Sequence, residues 1–265
     1  MKTYYFISGL PRSGSTLLSS ILKQNPEFYA DIASPIQTLI ESSVDVISCS
    51  ESNPLVPIEQ RKNIIYGIFD GYYKHIEKNI IFDSSRKWTN NTNLLKDLFP
   101  YTKILCTVRD IVPILNSFEC LFNKNSFYTK QINEKIFSQN IFIRTDEIFE
   151  REILDNYFFM VSGYTLNPDM FFLVEYDDLC KYPEKTMKQV YNFLNLPYYS
   201  HNFENVNYSN EKFDNVCKVK DLHLVRNSVV YDPPKYILPS EVIDKYEKKN
   251  MEFWKTSLLN KMEYA

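Results

Sequence analysis

A chain of 265 residues, 44% hydrophobic and 24% charged, excludes a disordered polymer and has the length to bury a substantial core. Its net charge of -3 gives no general basic field, which argues against broad affinity for nucleic acid but leaves room for a few placed cations around a small polyanion. The cysteines, Cys49, Cys106, Cys120, Cys180 and Cys217, are widely spaced and form no CxxC pair, so they read as reduced and mostly buried. His75, His201 and His223 are far apart in sequence, and no metal site is expected. Sequons at Asn90 and Asn207 carry little weight without a secretory signal.

In chain order, the apolar run Tyr4–Ser8 follows Met1-Lys2-Thr3. It is too short for a signal-peptide core or a membrane span, and predicts a buried strand in a soluble, cytoplasmic protein. A helix is expected over Ser13–Lys23 and another over Ile58–Lys78. Strands follow at Asn79–Phe82, Lys103–Val108 and Met170–Glu175, each rich in aromatic or β-branched residues. Pro183 suits a first helical turn for Pro183–Leu194, whose Met187, Val190, Tyr191 and Leu194 share one face, and Pro239–Trp254 reads as a closing amphipathic helix. No repeat, low-complexity linker or charge block divides the chain. The expectation is one domain, 1–265, with an α/β architecture: a P-loop-like, doubly wound parallel sheet flanked by helices. Ligands bind such sheets beyond the carboxyl ends of the strands.

The segment Gly9-Leu10-Pro11-Arg12-Ser13-Gly14-Ser15-Thr16 follows the first strand and opens the first helix. Glycines let the backbone bend around an anion, helix-start amides point at it, and the Ser13, Ser15 and Thr16 hydroxyls can donate to it. The spacing imitates a nucleoside-triphosphatase loop, but Ser15 stands where that loop needs its lysine, and the cation is Arg12 instead. Pro11-Arg12-Ser13-Gly14-Ser15-Thr16 resembles the 5′-phosphosulfate loop of sulfotransferases that use 3′-phosphoadenosine 5′-phosphosulfate (PAPS); the arginine is similar to the tyrosylprotein and carbohydrate branch.

Two later segments extend the resemblance. Arg109, at the end of Lys103–Val108, is followed eight residues on by Ser117, the separation at which the family holds the 3′-phosphate. A helix beginning near Val112 would return Ser117 to the same end of the sheet. Phe172-Leu173-Val174-Glu175-Tyr176-Asp177-Asp178-Leu179, with Tyr182-Pro183-Glu184 after it, is similar to the family's strand, tyrosine and Pro-Glu pattern, which puts Tyr176 near the nucleotide. The resemblance spans residues 5 to about 200 and implies PAPS as donor, adenosine 3′,5′-bisphosphate as product, no metal, and a small-molecule, sugar or peptide acceptor bearing a hydroxyl or amine.

For the chemistry, Arg12 is the first candidate to neutralise the departing 5′-phosphate. The related branch uses a glutamate about twenty residues after the loop cation as base; here only Asp31 is near that place. Asp83 and Arg86, at the open edge of the sheet after the second predicted strand, are further candidates for base and leaving-group support, and Asp83 also suits a turn cap. Near the C-terminus Arg226 or Lys220 would approach the 3′-phosphate, and His223 is another possible base. Part of a content of 20 tyrosines and 19 phenylalanines suits an acceptor pocket, the rest the core. The competing readings are a P-loop kinase and a non-catalytic module that binds a nucleotide or sulfated ligand.

Overall fold

The computed structural model describes residues 2–125, 140–206, 214, 222–223, 225–249 and 251–255. Strands β1 (Thr3–Gly9), β2 (Phe28–Ala30), β3 (Ile80–Ser84), β4 (Ile104–Val108) and β5 (Phe171–Glu175) form one parallel sheet in the order β2-β3-β1-β4-β5. Because side chains alternate across a strand, Tyr4 and Phe6 join one apolar cluster and Tyr5 and Ile7 another, so both faces of β1 are dry. Phe6 packs on Trp88 at 4.7 Å and on Phe69 at 5.9 Å between ring centroids. Each fully buried ring of this kind contributes roughly 1.5–3 kcal/mol relative to exposure.

The connections are helical: α1 (Ser15–Leu22), α2 (Ile36–Ser48), α3 (Ile58–Tyr72), α4 (Thr92–Leu98), α5 (Ile111–Lys124) and α6 (Ile141–Ile148), the last continuing through a π-helical stretch, Phe149–Leu154, into α7 (Asp155–Leu166). After β5 come α8 (Tyr176–Lys181), α9 (Pro183–Phe193) and α10 (Ser240–Glu247). The chain leaves β1 towards β2 and β3 on one side, then crosses to β4 and β5 on the other. The β1 and β4 loops therefore diverge, which opens a crevice at the carboxyl ends of the strands. No described helix is long and apolar enough to cross a membrane.

Several expectations change. β2, three residues at the sheet edge, was not foreseen. The helix expected to reach Lys78 stops at Tyr72, where Tyr73 leaves the helical path and its buried hydroxyl donates to Asp83 at 2.5 Å. The closing helix stops at Glu247, and Trp254 is instead buried in a separate turn against Tyr157 and Phe253. Of the described cysteines, Cys106 and Cys180 are buried, Cys120 is half-buried and Cys49 is exposed; Cys217 lies outside the described residues.

Candidate active site

The β1 loop is built on two glycines and one strained arginine. Gly9 has φ +126°, and a Cβ there would fall on the Thr107 carbonyl of β4, so only glycine lets the two strand ends approach. Gly14 has φ +99°, and a Cβ would lie 2.6 Å from the Tyr176 ring. Between them Arg12 itself is left-handed, φ 56°. A non-glycine residue in that region costs about 1–3 kcal/mol, and such strain concentrates at ligand sites.

These turns move the start of α1 from the expected Ser13 to Ser15 and point Ser13 inward. Its buried Oγ lies 2.5 Å from the Leu10 carbonyl oxygen and 2.7 Å from Thr107 Oγ1, so this hydroxyl ties the loop to β4 and does not face a ligand. The expectation that Ser13 donates to an anion is corrected on that ground.

The loop, the ends of β3 and β4, α5, α8 and residues 222–223 and 225–235 line a cleft of about 1160 Å³. Arg12, Pro11, Gly14, Ser15, Thr16, Arg86, Arg109, Ser117, Tyr176, His223 and Arg226 all line it. Arg12 Nε donates to Ser117 Oγ at 3.1 Å, and its Nη1 donates to the Leu222 carbonyl at 2.7 Å. Arg109 Nη1 donates to the Arg12 carbonyl at 3.3 Å, and its guanidinium lies 4.0 Å from the centroid of the Tyr176 ring. Burial and then the charge of Arg109 push the Arg12 pKa below its ordinary value. Two guanidiniums that repel each other line one cleft, and among the described residues neither forms an ion pair with a carboxylate. The Arg109 Nε is a buried donor without a partner. This donor set fits a polyanion: it offers unused positive charge and unused N–H groups on the cleft side of a strained, glycine-bearing loop.

The remaining candidates separate clearly. Asp83 is fully buried and does not line the cleft. Its Oδ2 accepts from Ser34 Oγ (2.6 Å) and Tyr73 Oη, and its Oδ1 accepts from Trp88 Nε1 (2.7 Å). Burial raises its pKa, against the opposing pull of these three hydrogen bonds. The expectation that Asp83 stands at the open edge as a base is therefore corrected: it joins α3, the β2–α2 turn and the turn after β3 from behind the wall. Asp31 is also outside the lining; its Oδ1 accepts from the Ile32 amide at 2.8 Å, and it bonds Tyr29. Arg86 does reach the cleft, paired at 3.1 Å with Glu152 of the π-helical stretch. His223 Nδ1 lies 2.7 Å from Asp214 Oδ1, and its amide donates to Asp214 Oδ2 at 3.2 Å. Arg226 is largely exposed and pairs with Asp232 at 3.2 Å. Lys220 lies outside the described residues.

Sequence reasoning missed Glu152, Asp214 and Cys180 in or beside this cleft. Asp214 stands in a polar stretch with no periodicity, and nothing but a carboxylate nine residues before a histidine marks it. Glu152 sits where the apolar spacing slips from the α period at Ile148, Phe149 and Ile153, a signal that a π turn would have explained.

Residues 5–200 match the sulfotransferase family, and the chain belongs to it. It is similar in fold to the sulfotransferase domain from the curacin biosynthetic pathway, at 17% identity and a TM-score of 0.58, covering 97% of this chain and 98% of that one. It is also similar to a sulfotransferase from Mycobacterium avium, at 12% identity and a TM-score of 0.51, covering 95% of this chain and 76% of that one. No curated protein matches the sequence. Sulfuryl transfer in general is thus the activity of the family, and the fold agrees with it.

Proposed function

We propose that this sulfotransferase takes its sulfuryl group from PAPS, transfers it to a hydroxyl or amine acceptor and releases adenosine 3′,5′-bisphosphate. The observation that carries the reading is the juxtaposition of Arg12 and Arg109 in one cleft with no carboxylate partner among the described residues. When bound, PAPS supplies an activated sulfuryl group on a phosphate leaving group.

The chain's own residues have the following roles in this reading. Arg12, with Gly14, Ser15 and Thr16 of the loop, neutralises the 5′-phosphate end, where charge grows as the leaving oxygen departs. Arg109 and Ser117, with Arg226 at the rim, bind the 3′-phosphate end, and Pro11 shapes the turn between them. Tyr176 supports the Arg109 guanidinium from one face. His223, which lines the cleft, takes the acceptor proton, and Asp214 orients its ring through Nδ1. Arg86, on the acceptor side, supports the transferring group. No role falls to a metal. The whole span 1–265 acts as one sulfotransferase-like domain, and the four free cysteines among the described residues accord with a cytoplasmic setting.

The test is thermal stabilisation by adenosine 3′,5′-bisphosphate beside ATP with Mg²⁺ and AMP, on wild type, Arg12→Ala and Arg109→Ala. A ligand that binds only the folded state raises Tm, by about 2.7 kcal/mol of stability at a hundredfold excess over Kd. Stabilisation by the bisphosphate alone, lost in both variants, is the expected result. Stabilisation by ATP with Mg²⁺ instead, or by none of the three, overturns the donor assignment.

A further inference from the structure

We infer that the acceptor is a neutral alcohol carried on an apolar body, bound between the distal half of α5 and the π-helical stretch. The inference rests on the sulfotransferase reading above and deepens it. A pocket for one small ligand measures roughly 300–1,000 Å³. The cleft here, at about 1160 Å³, exceeds that range and has room for a second occupant beside the nucleotide.

The two ends of the cleft differ in chemistry. The charged end gathers Arg12, Arg109, Ser117 and Tyr176. From Ser117, α5 runs on through Phe118, Leu121 and Phe122, all of which line the cleft. Phe118 and Phe122 are ring neighbours at 6.2 Å. Ile148, at the end of α6, and Ile32, before α2, complete this second wall, and both are buried. Among the described residues, apolar side chains thus form much of the cleft wall beyond the anion-binding residues, with Ser34, Ser84 and Ser85 beside them.

The polar groups at this end cancel. Arg86 and Glu152 pair at 3.1 Å, each with about half its side chain exposed (50% and 42%). They stand at the mouth, where hydration keeps their own interaction weak. Their opposite charges leave no net attraction for an acidic or ammonium-bearing acceptor. Among the described residues, Ser34 donates to Asp83 and Ser85 accepts from the Lys87 amide, so most hydroxyls of a sugar would meet isoleucine, leucine and phenylalanine side chains, and stranding them there is costly. An alcohol on an aliphatic or aromatic body loses nothing by the same burial.

The experiment follows bisphosphate release from PAPS with straight-chain primary alcohols of two to eight carbons, the matching amines, glucose and a tyrosine-containing acidic peptide. Thermal stabilisation by adenosine 3′,5′-bisphosphate is measured on the same protein. The expected result is a kcat/KM that rises with chain length by up to about fourfold per methylene, the equivalent of ~0.8 kcal/mol, with alcohols above amines, glucose and peptide. Phe118→Ser should flatten that slope while its bisphosphate-induced Tm shift shows that the variant is folded and still binds the nucleotide. Leu121→Asn provides a second variant should the first fail to fold. A flat or absent response to chain length, or preference for the sugar or the charged acceptors, overturns the inference while the bisphosphate shift leaves the donor reading standing. Absence of the shift itself overturns both.

Discussion

Asn116 fastens the segment ahead of α10 to the cleft: its Oδ1 accepts from the Ile237 amide at 2.8 Å, and its Nδ2 donates to the Lys235 carbonyl at 3.1 Å. The residue next to it, Ser117, receives Arg12. One turn of α5 thus holds the β1 loop with one side chain and the cleft's outer wall with its neighbour. Both contacts are short enough to be genuine hydrogen bonds, and Asn116 is buried.

Asn116→Ala should therefore weaken adenosine 3′,5′-bisphosphate binding about tenfold, as loss of two hydrogen bonds of about 0.5–1.5 kcal/mol each implies. Asn116→Asp keeps an acceptor for the Ile237 amide but sets a buried carboxylate against the Lys235 carbonyl and beside the anion, and should lose more. Calorimetric titration of both variants checks this; unchanged affinity in the alanine variant would show that the wall needs no such fastening.

Gly14→Ala combines a forbidden backbone angle, φ +99°, with a methyl group 2.6 Å from Tyr176 Cδ2. The helix start or the ring must move, and Arg109 rests on that ring. A loss of about 1–3 kcal/mol in stability is expected, together with loss of the bisphosphate-induced Tm shift. Urea unfolding and thermal shift measure the two effects separately. A normal shift in the variant would mean that Tyr176 plays no part in holding Arg109.

Glu175, the last residue of β5, has its pKa raised to about 6 by burial and then by Asp178 and Asp110. The folded protein thus holds this proton more tightly than the unfolded chain, so the stabilising contribution is complete below pH 4.5 and lost as pH rises through about 6. Glu175→Gln removes the ionisation. Because the carboxylate is half-exposed and screened by solvent, it should raise stability by no more than about 1 kcal/mol at pH 8 and by little at pH 4, judged by urea unfolding at both values. A variant no more stable than wild type at pH 8 contradicts the sign.

The four longer strands were legible because each is a short, dense apolar run, as burial on both faces requires, and their boundaries shift by no more than two residues. β2 was not, since three residues of which Tyr29 is half-buried carry no pattern of their own; the edge pairing with β3 defines them. Arg12, Arg109, Ser117 and Tyr176 could be brought to one cleft on paper because each follows a strand of a parallel sheet, and strand ends converge by topology. Asp83 misled for the same reason. The strand-end rule places its backbone correctly, but the alternation of the pleat turns its side chain behind the wall, where Tyr73 at the end of α3 and Trp88 in the turn after β3 donate to it. Ser13 was misjudged because the left-handed geometry at Arg12 and Gly14 delays the helix by two residues.

That left-handed geometry sets two selective pressures against each other at position 12. Glycine adopts φ 56° without penalty, so the backbone alone would favour glycine there, while the guanidinium ties the loop to Ser117 and the Leu222 carbonyl. The guanidinium is retained against the preference of its own backbone. Arg12→Gly is consequently the substitution that leaves the loop's path intact, and it separates folding from ligand capture better than alanine does.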